Sequence, residues 1–457
     1  MAAGAAAGLA SLLTTVLVAR LLSSRGYGAF VVLLSLFLVL SLPGSALLVA
    51  VVRRITAWES EGHGDRVHGW VVRVHRVGAA AVIVLAVAIW LARSPLISAL
   101  SLPGPGGLVE ILTAAGVWVL VSIDRGLLQA RQDYRNLSIN LVVEAVTRTG
   151  CTIALAATWG VAGAALGVLV GELITAVHAR ITAMAALRRH PGSVVEAGVL
   201  AVDSQPVPVA TGAPTSVHTP RVLAADMATA LVSLALLAIL QNADVIGLGS
   251  QAPHRSGSYA AISVPSKALV YGALVFINYL LPESAIRWHQ GSHALRQLGH
   301  TLLVLVIPAA ALLGVSALAP RKLLDAVYSH KLAAAAPAFS TLVLAMVFLC
   351  VTVVLTVYLL GVGWRWVVLV LATGTGALAL FVIHAHGGYL ATARADLAIQ
   401  AALAAILTVA LVVVHRRAGR HWSAPDRRGG AGAGGAAAGT GAMGEGPSAP
   451  SLYGGPG

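Results

Sequence analysis

Arg20-Leu21-Leu22-Ser23-Ser24-Arg25-Gly26-Tyr27-Gly28 closes one long apolar stretch and opens the next. Far along the chain, His254-Arg255-Ser256-Gly257-Ser258-Tyr259-Ala260 does the same. Each is a polar turn that carries Arg, Gly and Tyr and runs straight into another apolar helix. The match is loose, but it recurs between the two halves of the chain. It points to two helical bundles of similar design.

The composition around these turns excludes a soluble fold. Of 457 residues, 58% are hydrophobic and only 10% are charged, against roughly 25% in ordinary soluble domains. Mean hydropathy is +0.86. A soluble domain cannot hide that much apolar surface behind so few charges. The apolar runs are about 20 residues long, enough to cross roughly 30 Å of hydrocarbon as helix. The strict alternation that a membrane barrel needs is absent. The expected fold is therefore all-α, a polytopic membrane protein of about twelve transmembrane helices in two six-helix bundles. The spans are expected at 2–22, 28–52, 77–97, 107–123, 138–158, 160–180, 222–248, 259–281, 299–318, 337–360, 364–384 and 396–414.

Net charge is +13, but the basic residues do not form a nucleic-acid surface. They sit in short loops between apolar runs and alternate in density. One side collects Arg53, Arg54, Arg66, Arg73, Arg76, Arg125, Arg131, Arg135, Arg188, Arg189, Arg221, Arg287, Arg296, Arg365 and the tail arginines. The other holds Arg25, Arg93, Arg255, Arg321, Lys322, Lys331 and Arg394. The richer side is expected to be cytoplasmic. That places both termini inside a bacterial cytoplasmic membrane, with Arg255 outside. Cys151 and Cys350 both fall in apolar helices, so neither a disulfide framework nor a thiolate metal site is expected.

Residues 1–187 form the expected first bundle and 222–415 the second. Between them, 188–221 reads as a cytoplasmic linker, because Pro191, Pro206, Pro208, Pro214 and Pro220 break any regular helix. Residues 416–457 begin basic and turn Gly/Ala-rich, a composition that builds no core and reads as disorder. The apolar start lacks the basic region of a signal peptide and continues into a second span. It is expected to be a true span.

Several pieces resemble one family. Ala19-Arg20-Leu21-Leu22 followed by Tyr27-Gly28 is similar to the opening of Wzx-type polysaccharide-export flippases. These belong to the multidrug/oligosaccharidyl-lipid/polysaccharide exporter superfamily. Asn242-Ala243-Asp244, Gly257-Ser258-Tyr259-Ala260 and Leu281-Pro282-Glu283-Ser284 resemble its seventh and eighth helices and the loop after them. Leu127-Leu128-Gln129-Ala130-Arg131-Gln132-Asp133-Tyr134 resembles its loop before helix five. The resemblance implies a flippase for a polyprenyl-diphosphate-linked oligosaccharide, with two bundles alternating between inward-open and outward-open forms. It implies as partners the lipid-linked glycan, membrane lipids, a glycan polymerase and glycosyltransferases, and no nucleic acid. The Pro-rich linker is long for the family.

No catalytic constellation stands out: the chain has no Walker loop, HExxH, GxSxG or CxxC. His63, His68, His384 and His386 lack the company of a metal site. No cofactor is expected. Ionisable residues inside spans carry more information, because each costs roughly 2.5–3.5 kcal/mol at a helix centre on insertion scales. Arg20, Arg148 and Lys267 are the expected substrate-binding residues; an arginine fork donates two parallel bonds to phosphate. Asp244 and Glu172 are the expected coupling-ion residues. Against this stand plainer readings: Arg20 and Asp244 reach interfacial water, and Glu144 with Arg148 is a self-neutralising i,i+4 pair. Tyr27 and Tyr259 read as interfacial aromatics, and Gly26 and Gly257 as turn residues.

Other functions are compatible with the sequence. A cation-coupled multidrug exporter or a peptidoglycan-precursor flippase belongs to the same superfamily. A membrane-embedded polysaccharide polymerase or glycosyltransferase is disfavoured by the short outer loops. A scaffold subunit leaves the buried Lys and Glu without a purpose.

Overall fold

Ser23 sets the first turn. Its Oγ accepts from the Gly26 amide at 3.1 Å and caps the second helix, satisfying an otherwise orphaned donor. A computed structural model describes the backbone of residues 2–189, 220–289, 294–328, 330–361 and 364–422. The helices are α1 (Ala2–Leu21), α2 (Ser24–Ser60), α3 (Asp65–Leu91), α4 (Arg93–Ala99), α5 (Leu108–Ala130), α6 (Tyr134–Arg189) and α7 (Pro220–Gln251). They continue with α8 (Ser256–His289), α9 (Ala294–Leu318), α10 (Pro320–Val327), α11 (Phe339–Gly361), α12 (Val367–His384) and α13 (Tyr389–Trp422). A 3₁₀ stretch, His330–Ala338, leads into α11. Among the described residues there is no strand.

The fold is all-α and polytopic. Eight described helices are long and apolar enough to cross a membrane, or nine if the bent pair Leu305–Leu318 and Pro320–Val327 is one span. The expectation of twelve differs for identifiable reasons. Two expected spans lie inside the single 56-residue α6. In α1 only Ala10–Leu21 counts as apolar helix, and α8 is described at side-chain level only through its first half. The expected spans fall on helices, except that 77–97 crosses the break at Ala92 between α3 and α4.

Local chemistry explains the breaks. Helix α6 loses helical geometry at Trp159 and Gly160, and Gly160 adopts φ +61°, a conformation that Gly takes without strain. The second arm then folds back along the first. Gly163, Gly167 and Gly171 lie one turn apart and rest on the backbone of Leu155, of Cys151 and Thr152, and of Arg148. Small residues at four-residue spacing permit this close approach of helices in lipid. At the start of α5, Gly107 stands at φ +102° and Glu110 Oε2 reaches back to its amide at 2.9 Å. Asp133 Oδ1 accepts from the Asn136 amide and opens α6.

Packing follows from these turns. Helix α5 is the most enclosed of the first six and lies against α2, α3 and α6. Further along, α8 packs on α11 and α9, and α7 on α12. Helix α2 joins the two sets by lying on both α7 and α8. Residues Met1–Leu411 form one compact unit; a second begins at Val412. At the expected cytoplasmic end, Val51, Ile55, Val67, Val71, Ile123 and Leu127 close a small apolar core.

Two boundaries differ from the sequence reading. Helix α13 begins at Tyr389, earlier than the expected 396, and runs to Trp422, so Arg416, Arg417 and Arg420 lie on helix. Arg125, expected in a loop, lies inside α5 and is buried. Most of the expected linker and the Gly/Ala-rich tail from 423 fall outside the described residues.

Candidate functional site

Two of the buried charge clusters hold expected site residues. The first is built on α5 and the two arms of α6. Glu144 and Arg148 are one turn apart, and Arg148 Nη1 donates to Glu144 Oε1 at 2.9 Å. Gly171 rests on the Arg148 backbone, which brings its neighbour Glu172 within 3.3 Å of the same Nη1. From α5, Arg125 donates to Glu144 Oε2 at 2.6 Å and to Asn140 Oδ1 at 2.7 Å. Asn140 Nδ2 donates in turn to the Thr175 carbonyl, with His178 beside it. Two arginines face two glutamates, so the network is neutral.

Arg148 differs from its partners in exposure. Its side chain keeps 21% of its surface open, against 6% for Arg125, 10% for Glu144 and 0% for Glu172. About 16 Å of helix separates it from the break at Trp159, about half the roughly 30 Å thickness of a hydrocarbon layer. Tyr271 of α8 acts on it electrostatically, and Tyr271 is 39% exposed. Arg148 and Tyr271 thus both keep open surface on neighbouring helices.

The second place is built on α7, α8 and α13. Lys267 donates to Asp244 Oδ1 at 3.1 Å, and the Tyr259 hydroxyl donates to Asp244 Oδ2 at 3.2 Å. Asp396 acts on both Asp244 and Tyr259 electrostatically. Its Oδ1 accepts from Gln400 Nε2 at 3.2 Å, while its Oδ2 is buried without a hydrogen-bond partner among the described residues. Asp244, Tyr259, Asp396 and Gln400 are all fully buried, and Lys267 is 5% exposed.

The expected site residues are therefore distributed differently from the sequence reading. Arg148 and Glu172 meet each other. Lys267, expected to meet a diphosphate, is bonded to Asp244, expected to bind an ion. Arg20 is exposed and turned away from both places: its guanidinium donates to the Ala326 and Val327 carbonyls at 3.0 Å, at the end of α10. Tyr27 and Tyr259 are fully buried, not interfacial. Tyr27 packs on Tyr328, ring centroids 6.1 Å apart, and Tyr259 serves Asp244.

Sequence reasoning missed Asp396, Gln400, Arg125 and Asn140. The i,i+4 spacing of Asp396 and Gln400 was available. A third missed group joins α3, α5 and α6: Asp124, 1% exposed, holds Arg180 at 3.0 Å with His75 at 3.6 Å.

At the expected outer end the first six helices meet the later ones. Gly28 lies on Ser256 and Gly257, Gly249 on Val32, and Ser101 Oγ donates to the Ser250 carbonyl at 2.8 Å. Arg20 on α10 and Tyr27 on Tyr328 belong to the same seam. This end is closed.

No protein-family model matches the sequence, and no curated protein matches it. Solved structures do. An inward-facing multidrug resistance MATE family transporter of the MOP superfamily aligns with TM-score 0.64 at 12% identity, over 90% of this chain and 96% of that one. The chain shares the fold of that transporter. The lipid II flippase MurJ, in an inward closed conformation, aligns with TM-score 0.59 at 12% identity, over 87% of this chain and 84% of that one. An outward-facing MATE family transporter aligns with TM-score 0.55 at 15% identity, over 91% and 94%. These likenesses extend over nearly the whole chain, so the fold holds from α1 to α13.

Proposed function

We propose that this chain is an alternating-access flippase for a polyprenyl-diphosphate-linked oligosaccharide or polysaccharide precursor. The observation that carries the reading is the exposure of Arg148. Of the four charges in this network, the one that keeps the most open surface is a cation. An interior space that presents a guanidinium suits an anionic cargo and repels a cationic drug. Arginine's planar fork fits phosphate oxygens, and the Tyr271 hydroxyl stands ready as a second donor.

The cargo's diphosphate cannot cross hydrocarbon unaided, since moving a bare charge into low dielectric costs many kcal/mol. Arg148 offsets that cost while Glu144 and Glu172 hold its guanidinium in place. The lipid tail stays in the bilayer, and the glycan travels through the space between α6 and α8. Two bundles, 1–187 and 222–415, rock against each other about the 188–221 linker. The seam at Gly28, Gly257 and Tyr27 is then the outer gate. Arg20 belongs to that gate and not to the cargo. The protein forms no covalent bond with its cargo. A glycan polymerase and glycosyltransferases act before and after it.

The test is reconstitution in liposomes with a labelled polyprenyl-diphosphate oligosaccharide. Transfer of the label between leaflets that Arg148→Ala abolishes supports the reading. No transfer, with expulsion of cationic drugs against an ion gradient, overturns it for the multidrug alternative. Movement of a lipid-linked peptidoglycan precursor alone assigns the cargo of MurJ. Extension or transfer of sugars in detergent makes the chain an enzyme.

A further inference from the structure

Charge does not balance at the second buried place. Among the described residues, Glu144 and Glu172 face Arg125 and Arg148, and Asp124 faces Arg180. Asp244 and Asp396 share Lys267 alone. Among the described residues one carboxylate of that pair has no countercharge, yet both are fully buried. An uncompensated buried ion is unfavourable by several kcal/mol, so a further positive charge belongs here. The partnerless oxygen is Asp396 Oδ2.

Two kinds of charge fit that vacancy of balance, a proton or a metal cation. A hard cation gathers about six oxygens around one point. Both Asp244 oxygens are occupied, by Lys267 and by Tyr259, and Asp396 Oδ1 is occupied by Gln400. The remaining acceptors, Thr392 Oγ1, Asp396 Oδ2 and Gln400 Oε1, stand on successive turns of α13, about 6 Å apart along the axis. They form a row and not a cage. The Lys267 ammonium beside them repels a second metal-sized charge. A proton needs only one oxygen.

We propose that Asp396 is the proton-binding group that drives this transporter, and that the Lys267 ammonium stands beside Asp244 where a coupling metal ion would otherwise sit. The drive rests on the flippase reading; proton binding does not. The groups that act on Asp396 are Asp244 from α7, Lys267 and Tyr259 from α8, and Gln400 on its own helix. Thr392 lies one turn toward the loop at Gly387, a step that one bridging water spans. The proton also has a mechanical outlet. Tyr259 is bonded to Asp244 and follows Gly257, which lies on Ser24 and Gly28 at the outer gate. When the proton leaves, Lys267 is drawn toward two carboxylates, and the Tyr259–Asp244 bond shifts with it. Titration of Asp396 thus biases the gate through contiguous contacts.

The experiment uses purified full-length protein in nanodiscs, without cargo. Infrared spectra of the wild type are expected to contain a protonated-carboxyl band that Asp396→Asn removes and Gln400→Leu shifts. Replacing potassium by sodium at fixed ionic strength is expected to leave the melting temperature unchanged. A band unaltered in both variants overturns the proposal. So does a melting temperature raised by sodium and not by potassium, with that response lost in Asp396→Asn. In liposomes, a pH gradient is expected to drive net glycan-lipid movement in the wild type and not in Asp396→Asn. If no glycan-lipid moves at all, the flippase reading fails while the spectra still decide the proton site.

Discussion

Gly28 of α2 lies directly on the Gly257 backbone of α8, and Gly257 lies on Ser24 in return. The two loosely repeated turns of the sequence therefore touch each other. A Cβ at either glycine would overlap backbone, which cannot give way as a flexible side chain would. The contact closes the outer end only because neither residue has a side chain.

Gly28→Val and Gly257→Val are accordingly expected to hold the outer end open. Ser256, 3% exposed in the closed form, reports the change. In cells, Ser256→Cys should react slowly with an impermeant thiol reagent. Adding Gly28→Val should speed the reaction and abolish transport. Equal rates with and without Gly28→Val would remove the gate from this seam.

The first buried network predicts a different behaviour. Arg148→Ala leaves Glu172 fully buried without its arginine. Breaking a buried pair by removing one partner costs about 3–5 kcal/mol, so the melting temperature should fall along with transport. Arg148→Ala combined with Glu172→Gln removes the stranded charge and should recover much of the stability but none of the transport. Arg148→Lys keeps the charge and loses the fork, and should retain stability with weakened cargo binding. Thermal melts and liposome transfer, measured side by side, separate the two effects. Full transport in the double variant would exclude Arg148 from the cargo path.

These two sites were unequally legible in the sequence. The long apolar runs fixed the helices, and even the break in α6 falls where Trp159 and Gly160 announce it. Glu144, Arg148 and Glu172 are visible because each interrupts an apolar run well away from its ends. Asp396 is not, because Arg394 precedes it and the apolar run begins there; a boundary acid looks solvated. The seven residues of helix from Tyr389 onward carry it inside. Arg125 was hidden for the same reason, since the apolar part of α5 ends before the helix does. Hydropathy marks where a chain is apolar, whereas burial of a charge depends on which neighbours cover it. Those neighbours come from distant segments.

Lys267 should tolerate loss of charge in insertion but not in function. Removing an intramembrane charge eases insertion on translocon scales, so Lys267→Met is expected in the membrane at normal levels. Asp244 then stands buried without its ammonium, and stability should fall by about 3–5 kcal/mol. Asp244→Asn with Lys267→Met leaves a neutral pair and should restore the melting temperature. Measured in a double-mutant cycle, the coupling between the two positions should exceed about 1 kcal/mol. A coupling near zero would mean that the 3.1 Å contact contributes nothing.

Orientation gives the last prediction. Arginine and lysine outside the apolar runs are denser on the side that carries Arg53, Arg54, Arg131 and Arg188 than on the side of Arg25 and Arg255, and short basic loops stay in the cytoplasm. His254 is exposed at the sparser end, beside the gate but outside its contacts. His254→Cys should therefore react with an impermeant thiol reagent in intact cells, whichever way the gate stands. Ser204→Cys, in the segment between α6 and α7, should react only after the membrane is opened. Both native cysteines lie in helices, one buried and one partly so, and are replaced by Ala beforehand to keep the background low. Labelling of Ser204→Cys from outside would invert the whole assignment: Gly28 and Gly257 would then guard the cytoplasmic end, and the closed form described above would be open to the outside.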